Sequence, residues 1–238
     1  MRDDLLDADT CVDWAVSQIP ILQDGFDAWT QGRPYLIEIE QDAKTGIYNV
    51  VAYSLGGFGP MPNVQAGMII NGLRSSLDLL AASLAKRNGV KPSQKTHFPI
   101  FNSDMDFIDP LKGIEGKKWL SKSEIATIKS LKPYCGGDET LWPLHQLDIM
   151  RKHYQLVSVE ARLRHYRRGI APTWIRFDDK TDLGPVPPGM VADITEGNAD
   201  LALEITFDEP SLGLPYRPVI PTLRGFAARC RDIIALFA

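Results

Sequence analysis

The chain has 238 residues, 44% of them hydrophobic and 24% charged, with 19 Gly and 17 Pro. Those proportions exclude a fibrous, low-complexity or disulfide-scaffold protein and suit a globular one whose core needs no staples. A formal net charge of −4 is too small to make bulk attraction to nucleic acid or to an anionic membrane the basis of function.

Cys11, Cys135 and Cys230 are odd in number, far apart and in no metal-ligand spacing, the pattern of reduced core thiols. The opening MRDDLLDADT is acidic and lacks the basic-then-apolar order of a secretory signal. The most apolar stretch, MIINGLRSSLDLLAASLA, is broken by Asn71, Arg74 and Asp78 and is no membrane span. A cytoplasmic protein without metal or cofactor is expected.

In chain order, residues 10–30 read as an amphipathic helix with Thr10 as its cap and Val12, Ala15, Val16, Ile19, Leu22 and Phe26 on one side. Pro20 should bend or divide it. YLIEIEQDAKTGIYNVVAY alternates apolar and polar residues around a turn at 42–46, a hairpin signal. GGFGPMP ends that unit as a turn, since it has neither the Lys-Ser/Thr of a phosphate loop nor dinucleotide spacing.

A long helix follows over 63–87 with Asn63 as its cap, then a loop over 89–115 carrying HFPIF. HFPIF is expected to plug the helical layer with His97 at its solvent edge. SKSEIATIKSL (121–131) places Ser121 and Glu124 in capping-box spacing. Beyond the PYCGGDE turn lies a helix over 139–157. After Ser158 the hydrophobic period shifts toward two, and VEARLRHY, TWIRF and DLALEITF read as strands of an antiparallel sheet. A closing helix carries Leu223, Phe226, Cys230, Ile233 and Phe237 on one face.

The fold class is therefore α+β. A single composite domain is expected, with an N-terminal helix and hairpin (1–62), a helical core (63–157) and a strand-rich part with the closing helix (158–238). The five tryptophans are scattered and read as core or boundary residues.

Two helices carry polar lines where apolar residues would be expected. On the first, Gly67, Asn71, Arg74 and Asp78 lie at spacings of four, three and four, one narrow stripe at about 100° per residue. On the second, His145, Asp148 and Lys152 share a stripe interleaved with Leu141, Ile149 and Leu156. Buried charges must be paired or neutralised. The two helices should therefore pack antiparallel with their lines meeting, and Gly67 should permit the close approach. Arg74 is expected within ion-pair reach of Asp78 or Asp148, and Lys152 or His153 within reach of Asp78.

These residues also carry a resemblance. G-x-x-x-N-x-x-R-x-x-x-D (67–78), FPIF (98–101), LKPY (131–134) and D-x-x-x-K-H (148–153) resemble a widespread family of uncharacterised bacterial proteins over nearly the whole chain. The helical part is in turn similar to HEPN domains. That resemblance implies a module associated with RNA or nucleotide in a bacterial defence or stress system.

Active HEPN ribonucleases carry an arginine followed, four to six residues later, by a histidine on one helix. His97, His145, His153 and His165 have no arginine at that upstream spacing. The nearest substitute is Asp148 followed by Lys152 and His153, with His153 as a near-neutral base, Lys152 or Arg74 as phosphate cation, and Asp78 as a further candidate. A satisfied ion network that fixes helix register is the competing reading.

RLRHYRRG (162–169) could track a phosphate backbone through Arg162, Arg164, Arg167 and Arg168. The plainer reading is a solvated edge strand. Three functions remain: a non-catalytic module associated with RNA or nucleotide, a structural or interaction protein acting as a homodimer, and a metal-independent ribonuclease.

Overall fold

The computed structural model of the protein describes residues 3–165, 173–176, 179–186 and 201–238. The fold is α+β. Helix α1 (Leu6–Gln31) leads into the hairpin β1 (Tyr35–Gln41) and β2 (Tyr48–Ser54). The long α2 (Met61–Arg87) follows, then the one-turn α3 (Asp104–Ile108), α4 (Lys122–Leu131) and α5 (Leu141–His153). Strands β3 (Val159–His165), β4 (Thr173–Arg176), β5 (Lys180–Pro185), β6 (Leu203–Glu209) and β7 (Leu214–Pro218) precede the closing α6 (Val219–Ala235).

Helix starts differ from expectation where a local signal was over-read. Thr10 does not cap α1: the helix begins at Leu6, and the Thr10 hydroxyl donates back to the Leu6 carbonyl at 2.8 Å. Pro20 sits inside α1 without dividing it. Asn63 does not cap α2, which begins two residues earlier with proline in its first turn, where a missing N–H costs nothing. The capping box of α4 is as expected, with Ser121 and Glu124 each satisfying the other's backbone N–H.

Two antiparallel sheets form, in the orders β1-β2-β5 and β4-β3-β6-β7. The N-terminal hairpin thus gains a third strand from residues 180–185, far along the chain. β3 lies between β4 and β6. It is an interior strand, which corrects the edge-strand expectation for residues 162–164.

The core gathers α1, α2, α6 and the buried faces of α5 and the second sheet. Leu73, Leu77, Leu80 and Leu84 of α2 are wholly buried, with buried Ile69 and Ser76 along one edge of that face and buried Gly67, Ala81 and Ala85 along the other. Each large aliphatic removed from water this way contributes roughly 1.5–3 kcal/mol. A helix buried on several sides cannot keep a solvated polar face. The polar residues of α2 must therefore find partners inside the protein.

Candidate functional site

α2 and α5 run antiparallel. Asn71 meets Asp148, Arg74 meets His145, and Gly67 lies against Arg151, so residue numbers rise on one helix as they fall on the other. A Cβ at Gly67 would stand 2.6 Å from Arg151 Cδ; the glycine is what lets the arginine stem cross.

Two nodes bridge the seam. At the first, every nitrogen of the buried Arg74 guanidinium has an acceptor. Nη1 donates to Asp78 Oδ1 at 2.6 Å, Nη2 to the Phe98 carbonyl at 3.0 Å, and Nε to His145 Nδ1 at 3.1 Å. The Phe98 N–H returns a bond to Asp78 Oδ1 at 2.9 Å. The Phe98 ring is buried, and the backbone behind it clasps the ion pair. His97 stays largely exposed with Nδ1 3.6 Å from Asp78 Oδ2, the solvent-edge place expected for it.

At the second node, the buried Asp148 accepts from Asn71 Nδ2 at 2.9 Å and from Lys152 Nζ at 2.5 Å, with Arg151 Nε 3.9 Å away.

His145 links the seam as a neutral group. An arginine can only donate, so His145 Nδ1 must be the acceptor and the ring proton sits on Nε2. Burial, reinforced by the Arg74 charge, pushes its pKa down from 6.5 to about 4; the carboxylates of Asp78 and Asp148 oppose the shift without cancelling it. A histidine that is neutral with one nitrogen tied up cannot serve as a general acid at neutral pH.

Of the seven residues expected in the network, Asn71, Arg74, Asp78, His145, Asp148 and Lys152 are brought together. His153 is not. It is exposed at the last position of α5, with its ring edge toward Tyr154. One residue past Lys152 turns about 100° round the helix, away from the seam. Lys152 pairs with Asp148 rather than Asp78. Leu156 lies beyond the end of the helix and is exposed, so it does not interleave with the stripe; Leu141 is buried.

The basic strand is also corrected. Arg162 is buried, with Nη2 2.9 Å from Asp208 Oδ1 and 3.2 Å from Glu160 Oε2, and its guanidinium lies 4.2 Å from the Tyr216 ring centre. Paired and stacked inside a central strand, it has no face left for a phosphate. Arg164 stands opposite Trp174 in the β3–β4 register. Arg167 and Arg168 lie outside the described residues.

Among the described residues no group of three His, Cys, Asp or Glu side chains could hold a metal, and no helix is long and apolar enough to cross a membrane. The chain matches no protein-family model, no curated protein and no solved structure.

Proposed function

We propose that this chain is a non-catalytic module with a HEPN-like helical core, acting through binding rather than through chemistry at the α2–α5 seam. One observation carries the reading: all three Arg74 nitrogens are spent on Asp78, Phe98 and His145. A phosphodiester would need a free cation and a base that titrates near neutrality; this seam supplies neither. Its charges fix how two helices register, a use well suited to buried ion networks.

Association with RNA or nucleotide, in a bacterial defence or stress setting, is the second reading. It is favoured by the exposed His153 at the end of α5, where a phosphate could be met without disturbing the seam. Self-association into a homodimer is the remaining form that a binding role could take.

The test is incubation of the protein with mixed single-stranded and structured RNA in chelator-treated buffer, beside the His153→Ala variant. The expected result is no cleavage by either. Cleavage by the wild type that the variant lacks would overturn the non-catalytic reading. Binding that weakens steeply with salt supports the RNA reading. Absence of binding, with a dimer by light scattering, supports the interaction reading.

A further inference from the structure

A sizeable concavity lies away from the network, where the 135–143 turn and the start of α5 face β7 and the start of α6. It is a cleft of about 670 Å³, ample for a small organic molecule. Its walls are mainly apolar, from Trp142, Pro143, Leu212, Pro221 and Phe226.

Arg217 also lines the cleft, is exposed, and makes no ion pair or hydrogen bond with any described side chain. That sets it apart from Arg74 and Arg162, both buried and ion-paired. Its position follows from an irregularity in β7. Phe207 pairs with Arg217 while the next residue, Asp208, pairs with Pro215, so Tyr216 is an extra, bulged residue.

Tyr216 is one of three non-glycine residues with positive φ among the described residues, at 58°, a conformation that costs a tyrosine energy and that a bulge uses to redirect a neighbour's side chain. The Tyr216 ring is held over Arg162, the buried cation at the centre of the sheet. A strained bulge clamped to the sheet interior thus presents a free guanidinium to an apolar cleft.

The remaining charges narrow the ligand. Asp138 is already held by Arg229, with Oδ2 2.7 Å from Nη2. Glu139 lines the cleft as a second carboxylate and would repel a polyanion. Trp142, which lines the cleft, also carries a buried Nε1–H without a hydrogen-bond partner. We propose that this cleft binds a small organic acid with one negative charge and an apolar body, its acidic group on Arg217 and its body against Trp142 and Phe226. The site is independent of the seam between α2 and α5, so the proposal stands or falls apart from the question of catalysis.

The test uses benzoate and 1-naphthoate as probes, with benzamide as the neutral match and ATP as the polyanion, titrated by calorimetry and tryptophan fluorescence. Saturable binding of the two monoanions is expected, with benzamide at least about tenfold weaker, since a charge-assisted hydrogen bond is worth that much or more, and ATP weaker as well because Glu139 repels a polyanion. Arg217→Ala should lose a similar factor while its melting temperature stays unchanged, and Arg217→Lys should recover part of it.

Tyr216→Gly keeps the backbone conformation but loses the clamp, and should weaken benzoate binding while sparing the fold. Benzoate should also slow labelling of the exposed Cys135, which lines the same cleft, when the alkylated peptide is followed by mass spectrometry. Equal affinity for benzoate and benzamide, full affinity in Arg217→Ala, unprotected Cys135, or no saturation by either monoanion up to about 10 mM, a Kd near −3 kcal/mol of binding free energy, would each overturn the proposal.

Discussion

Replacing Arg74 by methionine tests the seam most directly. Methionine keeps the length and apolar stem of the side chain but withdraws a charge and three hydrogen bonds. His145 Nδ1 and the Phe98 carbonyl would lose their donor, and Asp78 would lose its cation. Removing one partner of a buried pair costs about 3–5 kcal/mol. Here the lower end applies, because the Asp78 side chain is 30% exposed and keeps the Phe98 N–H.

A loss of about 3 kcal/mol in a chain of this size lowers the melting temperature by about 6–12 °C. Urea unfolding followed by circular dichroism gives the free energy directly. The double variant Arg74→Met with Asp78→Leu should be less destabilised than the sum of the two singles, since the second change removes the orphaned charge. A single variant melting within about 2 °C of wild type, or strict additivity in the cycle, would refute the idea that the pair is closed and buried.

Three further outcomes follow from the same structure. His145 has a folded pKa depressed from 6.5 to about 4, so the unfolded chain takes up the proton first as pH falls. Stability present above pH 6.5 should therefore decline by roughly 3 kcal/mol between about pH 6.5 and pH 4. His145→Asn, which can still accept from Arg74, should flatten that part of the urea-derived stability profile. Ser121→Ala removes the side-chain acceptor of the Glu124 N–H in the α4 capping box, leaving the backbone half in place, and should cost about 1 kcal/mol, read as a shift in urea midpoint at constant slope. His153→Ala, at an exposed position without an ion pair among the described residues, should change stability by less than about 0.5 kcal/mol, where a network member would lose several times more.

The sequence made the seam readable because both polar lines obey helical geometry. Gly67, Asn71, Arg74 and Asp78 repeat at helical spacing within an apolar helix, and His145, Asp148 and Lys152 answer them in the opposite direction. What it could not show was the backbone of Phe98, since a main-chain carbonyl and N–H carry no residue-specific signal.

His153 was misplaced for want of the helix end: α5 stops there, and one step round the helix separates solvent from seam. Arg162 was misread because a strand's place in a sheet is set by distant partners, here β4 and β6. KTDLGP lacks alternation, and LPYRP holds two prolines, so neither β5 nor β7 was expected. The cleft combines residues 135–143 with 211–226, and no local period connects them.

The cations of this protein separate into two kinds, and the separation bears on function. Arg74 and Arg162 are buried, each surrounded by carboxylate, carbonyl or ring acceptors. A guanidinium in that state holds elements together and cannot also bind a substrate, because releasing its partners would leave buried charge unpaired. Arg217 is the opposite case, exposed on an apolar cleft and positioned by a strained residue whose ring rests on Arg162. The buried arginine thus supports the conformation that sets the free one in place. Binding at β7 and order within the sheet are then coupled: loss of the Arg162 pairs to Glu160 and Asp208 should relax Tyr216 and withdraw Arg217 from the cleft before it unfolds the helices, whose own lock at Arg74 lies in a separate network.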